Sequence, residues 1–487
     1  MPSWMRDLAR HYDATRAAHP DDNLLILFDI DGTILDMRHL ICYVLRRYDR
    51  VHGTSFFRRL RIEDIDVHEN HVESLLERLE VPARQRAHVW QWFRSHAWSM
   101  APVLEAHRPF AGVLEVIRWF QMQPNTYVGV NTGRPEALRD ETLLCLNELG
   151  HEYHVSFSDE LLHMRRDPSQ EVLAAKQEGI RYFQAMGFRI FGAVDNEPKV
   201  LEAIAAIDPQ REILLLHAET LFETRRESLP ARTVAGAEYD LTELIPERAL
   251  PRHIQFVWHG VNDPENLELF LNSDVHWAEL DVRFDPTFTH PILRHDSFKE
   301  TPLRPEEAWL ELDDVLAELK RKGRGAKLDL KGGGELVDMA LELTRKHGFG
   351  DDELWFNGNI ERIQERGFRR FQHAYPDAIR QCPVDFLAPL ILTGPQKAKD
   401  ILDMLFTWGI NRFSVSWLTI DVRKIANQLA RWGFEVNIYN VPDLEAFLQA
   451  ALLTPRSITS DFNFPKWSYY GRGSGEGGNH HRYEMQA

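Results

Sequence analysis

The apolar run Leu24-Leu25-Ile26-Leu27-Phe28 stops at Asp29-Ile30-Asp31-Gly32-Thr33, a pattern that predicts a buried strand ending in a turn. Two further apolar runs stop in the same way. Tyr127-Val128-Gly129-Val130 leads into Asn131-Thr132-Gly133-Arg134-Pro135, and Phe191-Gly192-Ala193-Val194 into Asp195-Asn196-Glu197-Pro198. Lys176 stands near the start of a helical pattern that runs through Ile180 and Phe183. Strands alternating with helices predict an α/β fold built on a parallel sheet. The first and second runs are separated by roughly a hundred residues, far more than a strand-to-helix connection needs. Within that insertion Leu40, Ile41, Val44, Leu45, Tyr48 and Val51 form one helical stripe, and Val72, Leu75, Leu76 and Leu79 form another. A helical cap is therefore expected over about residues 37–110. Trp90, Trp92, Phe93 and Trp98 either line that lid or form its core. Residues 1–22 read as a polar amphipathic helix, followed by a first domain over 23–247.

A boundary is expected near 241–252, where the pattern restarts. Strands are predicted at 254–258, 277–282, 326–330, 354–357, 385–388, 412–416, 434–439 and 457–459, separated by loops and helices. Eight such units predict a (β/α)8 barrel over 252–468. The Gly-rich segment that follows, 469–487, lacks apolar periodicity and is expected to be disordered; its His480-His481 pair reads as solvent-exposed.

The composition narrows the partners. A net charge of −17 over 487 residues argues against a nucleic-acid surface and against electrostatic attraction to anionic membranes. The three cysteines, Cys42, Cys145 and Cys382, have neither metal spacing nor a disulfide framework. No 18-residue apolar run or signal-peptide pattern is seen, so integral membrane association is not expected and the location expected is cytoplasmic.

The strand ends carry the chemistry. Asp29 at the rim of a parallel sheet could attack phosphorus, and Asp31 could serve as general acid and base. Asp-Gly is also a common turn dipeptide, so the pair alone supports either reading. In the second half, His259 follows the first strand. Glu279 and Asp281 share a face of the second, His295-Asp296 follows it, and Asp329 with Lys331 ends the next. The acids could hold a divalent cation against a phosphodiester, one histidine attacking or deprotonating a nucleophile and the other protonating the leaving alkoxide.

The first four segments, in this order, resemble the motifs of the haloacid dehalogenase superfamily of phosphatases. The resemblance implies a Rossmann-like domain with a helical cap acting on small phosphorylated metabolites. It makes Asp29 the nucleophile and Asp31 the acid/base, with Thr132 bonding the phosphoryl group and Lys176 neutralising charge. Mg2+ would be bound by Asp29, the Asp31 carbonyl and Asp195. One departure is Asn196 where a second acid is frequent, which leaves Glu197 as a substitute.

The second half resembles the glycerophosphodiester phosphodiesterase family through His259-Gly260, Pro264-Glu265-Asn266, Glu279-Leu280-Asp281 and His295-Asp296. Val436-Asn437-Ile438-Tyr439-Asn440-Val441-Pro442-Asp443 and Ile458-Thr459-Ser460-Asp461 look like its last two strands. The resemblance implies a TIM barrel with His259 and His295 catalytic, and Mg2+ or Ca2+ on Glu279, Asp281 and Asp329. The family's usual Arg after the first His is missing. The interval from Asp296 to Asp329 leaves no room for the inserted subdomain that helps recognise glycerol. The Glu279-x-Asp281 plus later Asp329 arrangement, without that insertion, also resembles sphingomyelinase D-type phospholipases and menorin-like proteins, so lipid-derived diesters stay among the candidate substrates. Trp355-Phe356-Asn357 and Ser414-Val415-Ser416-Trp417 either contact such a group or pack the barrel.

The expectation is a bifunctional hydrolase: an amino-terminal phosphomonoesterase and a carboxyl-terminal phosphodiesterase acting in sequence. The alternatives are a phosphatase or phosphotransferase carrying a non-catalytic barrel, and a barrel with sphingomyelinase D-like activity.

Overall fold

The computed structural model describes residues 4–461 apart from 168, 221–227, 246–249, 274, 304–306 and 308. The tail expected to be disordered, 469–487, lies outside the described residues. The chain divides into two compact units, Met1–Leu244 and Ile245–Ala487.

The first unit is built on β1 (Leu24–Phe28), β2 (Thr126–Pro135), β3 (Leu162–Arg165), β4 (Arg189–Asp195), β5 (Leu214–Ala218) and β6 (Val234–Gly236). They pair in parallel in the order β3-β2-β1-β4-β5-β6. This is the doubly wound order, and the chain's direction of growth reverses at β1. Every residue of β1 is buried, which explains its unbroken apolar run. Leu25, Leu27, Ile190 and Ala193 pack with Ile180, Phe183, Leu201 and Ile204 of the helices on one face.

The cap is helical, with helices Met37–His52, Val72–Arg78, Ala83–His96 and Met100–Glu105. Its two connections run side by side. Asp36 N–H donates to the Arg108 carbonyl (2.8 Å), and Phe110 N–H donates to the Ile34 carbonyl (3.0 Å). The expected stripes are buried with two exceptions: Val51 is exposed at the end of its helix, and Leu79 is half-buried.

The second unit contains β7 (Gln255–Trp258), β8 (Trp277–Phe284), β9 (Pro291–Leu293), β10 (Leu310–Glu311), β11 (Gly325–Leu330), β12 (Leu354–Asn357), β13 (Ile379–Pro383), β14 (Arg412–Ser416), β15 (Glu435–Val441) and β16 (Ser457–Ser460). Strands β7, β8 and β11 to β16 form a parallel barrel, closed because β7 pairs with both β16 and β8. β9 and β10 extend β8 as antiparallel strands. Outward positions such as Ala278, Leu280, Leu328 and Leu330 are buried and apolar. The alternate positions are polar and equally buried: Lys327, Gln381, Arg412, Asn437, Ser457 and Thr459.

One expected strand is wrong. Residues 385–388 form a short 3-10 turn, Asp385–Leu387, running into the helix Ala388–Thr393, and the strand is β13 immediately before it. Its Arg380 and Gln381 face buried partners, so the strand shows no apolar pattern. Asp385 instead anchors the loop, accepting from the Ser416 N–H (2.8 Å) and the hydroxyls of Thr419 and Tyr439 (2.7 Å each).

Candidate active sites

Parallel sheets present ligands at the carboxyl ends of their strands. In the first unit Asp29 follows β1, Thr132 lies in the last part of β2 and Asp195 ends β4, so three motifs far apart in sequence meet at the switch point. Lys176, in the helix Val172–Ala185, reaches between two of them. Its ammonium donates to Asp29 Oδ1 (2.5 Å) and Asp195 Oδ2 (2.7 Å), and all three side chains are buried. Burial pushes the Asp29 carboxyl up, with Asp195 and Asp31 adding to the shift and Lys176 opposing it. Burial also opposes the Lys176 charge, but Asp195 and Asp29 outweigh it and raise the ammonium.

The Lys176 helix is held to β2 by Asn131, whose Nδ2 donates to the Lys176 carbonyl (2.8 Å). The Thr132 hydroxyl is buried and accepts from Arg134 N–H (3.2 Å). The turn after Asp31 needs Gly32: its φ is +85°, and a Cβ there would lie 2.4 Å from Asn196 Nδ2.

Asp31 sits against Arg134, which the sequence reading gave no role. Arg134 Nη2 donates to Asp31 Oδ1 (2.6 Å) and Nε to Oδ2 (2.8 Å). Burial tends to raise the Asp31 carboxyl, but the guanidinium outweighs it and holds Asp31 below its ordinary range. Two further groups come from the cap segment. His107 is pushed down to about 4 by burial, with the Arg134 charge adding to the shift. His68 pairs with Glu69 (3.2 Å) and with Glu197 (3.1 Å), placing the fourth motif's acid against the cap. Burial disfavours the His68 charge, yet Glu197 and Glu69 raise it to about 9. Of the expected aromatic cluster, Trp98 reaches the site, 5.2 Å from the Arg134 guanidinium. Trp90 stacks on Phe93 and Trp92 on His96.

In the second unit a polar cavity of about 350 Å3 opens at the carboxyl ends of the strands. His259, Glu279, Asp329 and His295 all border it, along with Lys327 and Lys331. His259 Nδ1 contacts Asp461, and its Nε2 lies 3.3 Å from Glu279 Oε2. Burial works against the His259 charge, but Glu279 and Asp461 raise it to about 9. Lys327, fully buried, lies 3.1 Å from Glu279 Oε1 and donates to Thr459 Oγ1 (2.9 Å). Asp281 is held by Asn262 Nδ2 (2.6 Å) and Lys331 (2.7 Å). Lys331 also contacts Asp329, whose other oxygen accepts from Asn357 Nδ2 (2.8 Å). His295 is different: its side chain is 61% exposed at the cavity edge, paired with Asp296 (2.7 Å). Pro264 and Asn266 serve the fold, starting the helix Pro264–Leu271 behind its N-cap, Asp263. Trp355 is fully buried against Trp277, whereas Asn357 and Ser414 of the same two segments border the cavity.

Sequence reasoning missed Arg134, His107 and His68 in the first unit. In the second it missed Lys327 and the roles of Asn357 and Asp461. Lys327 had a readable signal: it stands two residues before Asp329 and so shares its face of β11.

Both donor sets suit a hard divalent cation in being carboxylate-rich. Glu279 Oε2 and Asp281 Oδ1 are buried, the first 3.3 Å from His259 Nε2 and the second 2.7 Å from the Lys331 ammonium. Among the described residues, however, no group of three or more His, Cys, Asp or Glu side chains is gathered closely enough to hold a metal ion. Lys176 and Lys331 stand between the carboxylates instead. Among the described residues no helix is long and apolar enough to cross a membrane.

No family model matches this sequence, and no curated protein matches it. Among solved structures, glycerophosphodiester phosphodiesterase from Agrobacterium tumefaciens is similar at 15% identity, over 43% of this chain and 96% of its own, with a TM-score of 0.30. A HAD family hydrolase from Deinococcus radiodurans, solved with bound phosphate and sodium, is similar at 15% identity, over 41% of this chain and 82% of its own, with a TM-score of 0.26. A hydrolase from Pseudomonas syringae is similar at 10% identity, over 44% of this chain and 92% of its own, with a TM-score of 0.26.

Proposed function

We propose that the chain is a bifunctional phosphate-ester hydrolase, a phosphomonoesterase at Asp29 and a phosphodiesterase in the barrel, and that the two act in sequence. The observation that carries this reading is shared by both units: at the carboxyl ends of parallel strands, a lysine ammonium lies between two carboxylates, the buried Lys176 between Asp29 and Asp195, and the partly buried Lys331 between Asp281 and Asp329. Such a centre offers an anionic nucleophile or metal ligand together with fixed positive charge for a phosphate.

In the first unit an Asp29 oxygen bonds to phosphorus while the bond to the alcohol breaks, and the alcohol takes a proton that the ester's monoanion brings in and that Asp31, ionised at rest beside Arg134, relays. Water then bonds to phosphorus, giving its proton to Asp31, and Asp29 is released with inorganic phosphate. Lys176 offsets the charge throughout. In the barrel, His259 and His295 flank the cavity as the proton-transfer pair, with Glu279 and Asp461 orienting His259. A divalent cation, Mg2+ on Asp29, the Asp31 carbonyl and Asp195, and Mg2+ or Ca2+ on Glu279, Asp281 and Asp329, would supply charge neutralisation at each phosphate. The barrel product, a phosphomonoester, is the class of compound the first unit consumes. Small phosphorylated metabolites are the proposed substrates of that unit.

The test is a panel of monoesters and diesters, each with Mg2+, Mn2+ and Ca2+, on the wild type, Asp29→Asn and His259→Ala. The reading requires that Asp29→Asn removes monoester turnover alone and His259→Ala removes diester turnover alone. Inert diesters with every metal would make the barrel a binding domain.

A further inference from the structure

Arg134 has no part in the reaction as written above, yet it is 3% exposed and faces the acid/base carboxylate. Its Nε and Nη2 take both Asp31 oxygens in a two-point fork, so turning the carboxylate breaks two charge-assisted hydrogen bonds at once. The guanidinium is fixed in turn. Nη1 donates to Thr142 Oγ1 (3.3 Å), and Nη2 also donates to His107 Nε2 (3.3 Å). His107 is held in the tautomer this requires, because its Nδ1 lies 2.7 Å from the Val103 carbonyl and carries the proton. The Trp98 ring covers the guanidinium. Trp98 and His107 both belong to the cap segment, whereas Arg134 and Asp31 belong to the sheet side of the site.

We propose that Arg134 is the positioning residue for Asp31, aiming the carboxylate at the leaving oxygen and then at the attacking water, and that it makes this aim depend on the cap through Trp98 and His107. The inference rests on the phosphomonoesterase reading of this site. It separates the two chemical steps. For an alkyl ester, the break of the phosphorus–oxygen bond needs a proton, brought in by the ester's monoanion and relayed by Asp31 to the leaving oxygen, so a misplaced Asp31 slows both steps. For an aryl ester the phenolate departs without a proton. There only the second step suffers, in which water bonds to phosphorus, the bond to Asp29 breaks and Asp31 takes the water proton.

The experiment uses the full chain with Mg2+ and follows glycerol phosphate and p-nitrophenyl phosphate with the wild type, Asp29→Asn, Arg134→Gln and Arg134→Lys. Arg134→Gln is expected to lose roughly 100-fold in kcat on glycerol phosphate with KM little changed. On p-nitrophenyl phosphate it should release a burst of one nitrophenolate per site, followed by slow turnover. Arg134→Lys keeps the buried charge but cannot form the fork, so it should give the same burst if the Gln variant fails to fold. Added guanidinium should partly restore Arg134→Gln. Unchanged turnover in the Arg134 variants, or an equal loss on both esters without a burst, overturns the proposal while the monoesterase reading stands. If the wild type hydrolyses neither ester, or Asp29→Asn hydrolyses both, the monoesterase reading falls and takes this assignment with it.

Discussion

Lys176 and Asp29 are 147 residues apart in sequence, yet the Lys176 ammonium lies 2.5 Å from Asp29 Oδ1, and neither side chain is more than a tenth exposed. The same ammonium holds Asp195. Removing one partner of a buried ion pair leaves an uncompensated charge, at a cost of about 3–5 kcal/mol. Lys176→Met should therefore lower the urea midpoint of the first unit as well as abolish monoester turnover. Asp29→Asn, which leaves the Lys176–Asp195 contact in place, should be milder in stability and equally inactive.

The turn behind Asp31 predicts a coupling. Gly32→Ala forces a Cβ into a left-handed backbone position and against Asn196, whose Nδ2 has no hydrogen-bond partner. Strain of this kind costs on the order of 1–3 kcal/mol. Asn196→Ala should recover part of that loss, so a double-mutant cycle on unfolding free energy should be clearly non-additive. Additive costs would show that Asn196 is not the obstacle.

His107 gives a pH dependence of known sign. Burial and Arg134 hold it down at about 4, below its ordinary 6.5. The unfolded chain thus binds the proton more readily than the fold does between those values. The contribution of neutral His107 to stability is fully present above pH 6.5 and is lost as pH falls from 6.5 toward 4, at about 1.4 kcal/mol per pH unit. His107→Gln should flatten the slope of unfolding free energy against pH in that window. An unchanged slope would mean that His107 is not the group that titrates.

If carboxylates hold divalent cations at both centres, chelation should abolish monoester and diester turnover, and added Mg2+ should restore both. Glu279→Gln should weaken restoration of the diester reaction alone, seen as a higher Mg2+ concentration for half-recovery.

The legibility of the chain follows from where burial is two-sided. β1 is buried throughout and apolar throughout, so it could be read directly, and the order of Asp29, Thr132, Lys176 and Asp195 survives intact at the sheet's carboxyl edge. The barrel was legible where outward apolar residues alternate with single polar ones, as in β11 and β14. It failed at β13, where Arg380 and Gln381 are buried among polar partners and the next apolar stretch, at Phe386-Leu387-Ala388, is helical. Arg134 stood in plain view beside Thr132. Nothing in the order of residues shows that its partner is Asp31, 103 positions earlier, because that pairing is made by the sheet order and not by local sequence.

The central claim is that the barrel supplies the monoester that the first unit hydrolyses. A 31P NMR time course with a glycerophosphodiester and Mg2+ tests it in one tube. The wild type should pass from diester through monoester to inorganic phosphate, His259→Ala should leave the diester intact, and Asp29→Asn should stop at the monoester. Inorganic phosphate appearing in the Asp29→Asn reaction at the wild-type rate, or diester consumed equally fast by His259→Ala, would contradict the account.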